Sequence, residues 1–178
     1  APGAGKGTNT EFIQRKRGLT ADPIVMSSLL NSPSAQALKA SGGMVGGKEV
    51  VQALMETLLD PRYSSGVIVD GFPRTKVQAE VARMLFDSMT RLYVQHKAEP
   101  AAAAVFRRPI FRIAVLFVDE MTSVERQMYR GKAAKAHNAK VKATGLGELQ
   151  EERATDFDTA LAQKRYKGFN ELTYSALQ

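Results

Sequence analysis

The opening residues constrain this chain more than any other stretch. Ala1-Pro2-Gly3-Ala4-Gly5-Lys6-Gly7-Thr8 combines three glycines, a lysine and a hydroxyl, and it runs straight into the helix-like Glu11-Phe12-Ile13-Gln14-Arg15-Lys16. Glycines let successive backbone N–H groups curl around phosphate oxygens, and the helix that follows turns its positive end toward them. A lysine then reaches the outer phosphates and a hydroxyl joins a magnesium shell. Gly3, Ala4, Gly5, Lys6, Gly7 and Thr8 therefore read as a phosphate-binding loop for a nucleoside triphosphate, with Lys6 on phosphate and Thr8 on metal. The competing reading is a glycine-rich surface turn that happens to hold a lysine, and the helix behind the loop argues against it.

A second motif narrows the class. Gly66-Val67-Ile68-Val69-Asp70-Gly71 is a short β-branched run between glycines, the pattern of a buried parallel strand ending at Asp70. Residues 76–97 return to helical spacing, with Val77, Val81, Met84, Leu85, Met89 and Leu92 on one side, and a helix after a buried strand suggests a βαβ unit. Asp70-Gly71-Phe72-Pro73-Arg74-Thr75 thus sits at the C-terminal end of a strand, where parallel sheets place their ligands. There Asp70 can hold a magnesium-bound water and Arg74 offers a planar fork for another phosphate.

Elsewhere the pattern predicts a helix over 35–40, glycine breaks at Gly42, Gly43, Gly46 and Gly47, and a helix through Val50, Leu54 and Leu58 that Asp60-Pro61 closes. Ile24-Val25-Met26 reads as a short strand, with Ser27 as a rival helix start. Phe111 to Asp119 reads as the second clear strand, and the helix after it, capped by Thr122 or Ser123, is expected to end at Gly131. Residues 131–152 hold few large apolar side chains and read as a mobile insert carrying solvated Lys132, Lys135, Lys140 and Lys142; a last helix covers about 154–172. Both valine-rich strands and the apolar side of 76–97 are expected in the core.

With 178 residues the chain is one ordinary domain, and having no cysteine it can build neither disulfides nor a cysteine-held zinc site. Its longest apolar run, Ile113 to Val118, is far short of the ~20 residues a membrane-spanning helix needs. A formal charge of +7 favours anionic ligands. His96 and His137 have no metal-ligand spacing and receive no role.

At this point the sequence resembles the adenylate kinase family and its nucleoside monophosphate kinase relatives. The resemblance rests on the opening loop, on Asp70 to Thr75 followed by Gln78, on Val124-Glu125-Arg126 with Arg130, and on Arg153-Ala154-Thr155-Asp156 with Lys164-Arg165. It implies a P-loop α/β fold, a three-layer parallel sheet with helices on both faces, forming a single domain over 1–178. Within it, about 20–60 would be the acceptor-binding segment and about 131–152 a lid-like insert. The activity implied is reversible phosphoryl transfer from MgATP to AMP, giving two ADP, with no zinc. By the same resemblance Lys6, Arg74, Arg130, Arg153 and Arg165 look catalytic, Arg126 looks like the arginine lying on the donor adenine, and Arg74 with Gln78 like the acceptor contacts. Thr8, and Asp70 through water, would serve the metal. The partners would be ATP and AMP, with nucleic acid not required and the protein a monomer or a subunit of a larger complex. The setting would be intracellular, with mitochondrion or chloroplast favoured over cytoplasm.

Three departures accompany the resemblance. The strand and glycine that precede the loop in the family, and its last strand and helix, are not in this sequence, so the natural chain is expected to contain more. The Ser-Thr-Gly-Asp-x-x-Arg acceptor motif is replaced by Thr20-Ala-Asp-Pro-Ile-Val-Met-Ser-Ser-Leu-Leu30, without an arginine. Thr155-Asp156 stands where the family carries two aspartates. These features support an alternative function, a catalytically impaired, adenylate kinase-like structural subunit of a larger, organellar assembly.

Overall fold

Two glycines bracket the first helix, α1 (Lys6–Arg17): Gly5 at φ 77° and Gly18 at φ 63° take left-handed conformations that a side chain would strain. Arg15, Lys16 and Arg17 fill its last turn, where cations complement the helix dipole. The computed structural model describes residues 1–30, 32–41 and 47–177. The glycine breaks at Gly42, Gly43 and Gly46 lie outside the described residues.

After α1 the chain forms β1 (Ile24–Val25), α2 (Met26–Leu29), α3 (Pro33–Ala40), α4 (Gly47–Leu58) and a 3₁₀ turn (Pro61–Tyr63) that Asp60 caps by accepting from the Arg62 N–H at 2.9 Å. β2 (Val69–Asp70) then pairs with β1 in parallel, Ile24 opposite Val69 and Val25 opposite Asp70. Packed around this pair is the core, Ile24, Met26, Leu30, Ala35, Val50 and Leu54, flanked by Tyr63, Val67, Val69 and Phe72. Full burial of a side chain such as Leu54 or Met26 stabilises by about 1.5–3 kcal/mol each, so this cluster fixes the position of β2 and hence of Asp70.

Among the described residues the sheet has these two strands, where the family resemblance leads one to expect a larger three-layer sheet. Phe111 to Val118, expected as a strand, joins no ladder. A strand needs a partner, and the bonds to this segment come singly: the Ala1 nitrogen donates to the Leu116 carbonyl, and Tyr166 Oη to the Val118 carbonyl at 3.0 Å. The burial expected of it fails too, since Phe111, Ile113, Val115 and Phe117 are all exposed. α5 (Lys76–His96) forms as the spacing predicts, with Thr75 as its cap. Its apolar row is not core, however: Val77 is 67% and Met84 57% exposed, and Gln78 is the buried residue of this helix. Periodicity foresees the helix and cannot supply the surface that covers it.

α6 (Pro100–Val105) leads to α7 (Glu120–Thr144), whose cap is Asp119 and not Thr122 or Ser123: the Asp119 carboxylate accepts from the Thr122 N–H at 2.8 Å. Gly131 does not end this helix. It lies in the interior, where a Cβ would stand 2.3 Å from the Asp156 carbonyl oxygen, so it is the glycine that lets two backbones touch. The helix ends instead at Gly145, φ 68°. Residues 145–153 return along it, held by Asn138, whose side chain donates to the Gln150 carbonyl (2.8 Å) and Glu152 carboxylate (2.7 Å) and accepts from the Gln150 N–H (2.8 Å). Thus most of the stretch read as a mobile insert is helix, while Lys132, Lys135, Lys140 and Lys142 are exposed as expected. The last helix is broken into a 3₁₀ turn (Ala154–Asp156), α8 (Thr159–Gly168), a π turn (Phe169–Tyr174) and α9 (Ser175–Leu177). No described helix is long and apolar enough to cross a membrane.

Candidate phosphate-binding site

The glycine-rich loop is held from below by α7. Gly3 (φ 69°) approaches so closely that a Cβ there would lie 3.0 Å from the Ser123 carbonyl and 3.3 Å from Arg126 Cβ. Ser123 Oγ donates to the Pro2 carbonyl at 2.9 Å, and Arg126 Nη1 to the Gly3 carbonyl at 3.3 Å. Lys6 Nζ reaches back across the loop and donates to the Ala1 carbonyl at 3.4 Å. Thr8 stands exposed in the first turn of α1.

Opposite the loop, β2 delivers Asp70, and a tight turn delivers Arg74. Gly71 takes φ 94°, and a Cβ on it would come within 2.6 Å of Arg74 Nη2. The Arg74 guanidinium donates from Nε to the Gly71 carbonyl at 2.8 Å. Thr75 and Gln78 close the turn reciprocally, in the manner of a capping box: the Gln78 N–H donates to Thr75 Oγ1 (3.2 Å), while Gln78 Oε1 accepts from the Arg74 N–H (2.7 Å). Gln78 therefore fixes the backbone at Arg74, while the Gly71 carbonyl holds its guanidinium. Asp70 Oδ1 is buried without a hydrogen-bond partner among the described residues. A bare carboxylate oxygen is costly unless something satisfies it, and a single carboxylate suits magnesium, which takes one or two protein contacts beside substrate phosphates.

The third component comes from α7, the turn at Ala154–Asp156 and α8. Asp156, 2% exposed, receives both arms of Arg130, Nε and Nη2 each at 2.6 Å, and lies 3.8 Å from Arg165 Nη1. Arg165 donates to Thr155 Oγ1 (3.2 Å) and to Gln127 Oε1 (3.3 Å). Thr155 thus presents a neutral hydroxyl where the resemblance leads one to expect a second carboxylate. Arg153 pairs with Glu151 at 2.8 Å.

These pieces share one electrostatic environment. Desolvation lowers the Lys6 pKa; Asp70 opposes that shift, and Arg74, Arg165 and Arg130 add to it. Burial likewise lowers Arg74, with Asp70 acting against it and Arg153 with it. Arg165 is lowered to about 10, first by burial, then by Arg153 and Arg130. Cations that depress one another's pKa values have been gathered at a cost, and an arriving polyanion relieves it. Arg126 stands apart from this cluster, exposed beside the loop.

Sequence reasoning missed Gln127 and the loop contact of Ser123. The available signal was a small or polar residue every fourth position, Ser123, Gln127, Gly131, on one face of the helix.

A family model described as an AAA domain matches residues 1–141. Among curated proteins, the chain is similar to the adenylate kinase of Methylobacterium radiotolerans, 38% identical over 86 residues, covering 44% of this chain and 43% of that protein. It is 35% identical to the adenylate kinase of Xanthobacter autotrophicus over 94 residues, 49% of this chain and 48% of the relative. A longer alignment, 28% identical, reaches 96% of this chain and 84% of the adenylate kinase of Azorhizobium caulinodans. The matches to the first two relatives span less than half of their length.

Proposed function

The chain belongs to the adenylate kinase family, on a P-loop domain matched by the AAA-domain model, and from that premise we propose that it transfers a phosphoryl group reversibly from MgATP to AMP, giving two ADP. The observation that carries this reading is the charge excess at one place: Lys6, Arg74, Arg130, Arg153 and Arg165 gather there, and among the described residues Asp70, Asp156 and Glu151 balance them. Phosphoryl transfer asks for that kind of site, because charge spreads over the moving group's oxygens and the protein supplies alignment and positive charge, with no covalent nucleophile.

The donor's phosphates would lie in the curl of Gly3 to Thr8 under Lys6. Arg74, locked by Gln78, would hold the acceptor phosphate in line. Arg130, Arg153 and Arg165 would approach the transferring group from the α7–α8 side, with the 131–152 segment acting as the lid that excludes water. Asp70, through water, and Thr8 would hold magnesium, which would supply positive charge to offset that of the phosphates. We read β1 and β2 as part of the family's three-layer parallel sheet, and the chain as one domain with its acceptor segment about 20–60.

A second reading, a catalytically impaired structural subunit, is favoured by one observation. Residues 20–30 carry no arginine, and Ile24, Met26 and Leu30 of that segment are committed to the core. The +7 charge is the support for an organellar setting. The two readings separate on the analogue in which two adenosines are bridged by five phosphates. A working acceptor site should hold it on the order of 10²-fold more tightly than ATP, because its second head binds as an intramolecular event. Affinity equal to that for ATP sinks the kinase reading and favours the subunit.

A further inference from the structure

Ser123 and Gln127 are both 0% exposed, one turn apart on α7. A leucine at position 127 would bury more apolar surface, and a buried carboxamide is unfavourable unless both its ends are bonded. Both ends are. Gln127 Nε2 lies 3.3 Å from the Ser123 carbonyl and 3.3 Å from Ser123 Oγ, and Oε1 accepts from Arg165 Nη1 at 3.3 Å. Ser123 in turn gives its hydroxyl proton to the Pro2 carbonyl at 2.9 Å. The direction of this row is fixed by its ends. Arg165 can only donate and the Pro2 carbonyl can only accept, so the amide must turn its oxygen to the arginine and its nitrogen to the serine. The reverse orientation would set an NH₂ against a guanidinium. Neither leucine nor glutamate supplies both functions.

We propose that Gln127, with Ser123, is a positioning residue that couples the glycine-rich loop to Arg165: the loop sets the Ser123 rotor, the rotor sets the amide, and the amide aims the guanidinium. Bonds of 3.3 Å are long and leave room to shorten if phosphates draw the loop and Arg165 together. The catalytic consequence rests on the kinase reading above; the coupling itself does not.

The test uses the full chain carrying Gln127→Leu, Gln127→Glu, Ser123→Ala, and the Ser123→Ala/Gln127→Leu pair, with thermal unfolding followed alongside. Gln127→Leu is expected to lower kcat about tenfold while KM for ATP moves less than about twofold, since only the aim of Arg165 in the transition state is lost. Gln127→Glu, which keeps an acceptor for Arg165, should recover part of the loss. The pair should lose no more than Gln127→Leu alone, because both changes cut the same row. An unchanged kcat in Gln127→Leu, or losses that multiply in the pair, overturns the inference. Should Gln127→Leu fail to fold, Ser123→Ala carries the test by the same kcat against KM split. If the unsubstituted protein transfers no phosphoryl group, the kinase reading has failed, and the same cycle is read on the thermal unfolding followed alongside: non-additive effects sustain the coupling and additive ones overturn it.

Discussion

Replacing Asp156 by asparagine keeps the volume at the junction of α7 and α8 and removes one charge with one acceptor oxygen. In the native protein two oxygens receive Arg130 at 2.6 Å each, and Arg165 stands 3.8 Å away. Asparagine can accept from only one arm, and its NH₂ faces the other arm donor to donor. A hydrogen bond to a charged group contributes about 1.5–3 kcal/mol and a neutral one about 1. One bond is therefore lost and the other weakened, for a gross loss of about 3 kcal/mol. Arg130 is 42% exposed on its side chain, so water takes up part of what is lost, leaving about 2 kcal/mol. For a chain of this size that is a fall of about 4–8 °C in Tm. The control is Asp87→Asn, which breaks a solvent-exposed pair with Arg83 (3.0 Å) and should move Tm by less than about 2 °C. Thermal unfolding followed by circular dichroism at neutral pH measures both. Equal, small shifts in the two variants would refute the view that the Asp156 cluster holds α7 to α8.

Gly131→Ala gains about 1 kcal/mol of helix propensity but drives a Cβ into the Asp156 backbone, an overpacking that costs about 1–3 kcal/mol and tears at the same junction; a net fall in Tm is expected, and a rise would contradict the close approach. Asn138→Ala should leave Tm nearly unchanged while the Gln150 amide and its neighbours lose hydrogen-exchange protection, since that side chain bonds both the N–H and the carbonyl of Gln150; unchanged protection refutes this. The lowered Lys6 pKa has a sign that can be checked. The ammonium loses its proton below the usual lysine range, so ATP affinity should begin to fall below that range as pH rises, and Lys6→Arg should flatten the curve. For stability the same group acts oppositely. A base whose pKa is lowered on folding binds more protons unfolded, so its contribution rises with pH between the folded and unfolded values.

What the sequence revealed was local. The glycine before the first helix and the parallel strand ending at Asp70 are patterns of a few residues, and the structure has both, Gly5 at φ 77° and β2 over Val69–Asp70. The period of α5 was equally readable. Its burial was not, because periodicity describes a face and not what covers it. Gly131 was misjudged for the same reason: a glycine marks either an end or a close approach, and the deciding neighbour, Asp156, lies in another element. The bonds from Ser123 to Pro2 and from Arg165 to Gln127 join residues too far apart in the chain to leave any local pattern. Arg130, Arg153 and Arg165 were selected by resemblance. The structure adds that Arg130 and Arg165 share Asp156 and that Arg153 is held by Glu151.

The most direct measurement is ADP formation from ATP and AMP with magnesium by the full-length protein, beside Lys6→Ala and a panel of other monophosphates. Transfer to AMP that drops by at least about 10²-fold in Lys6→Ala is the predicted result, as expected when a charge-stabilising group is removed from a phosphoryl-transfer site. A folded protein that binds ATP and phosphorylates no monophosphate at all would contradict it.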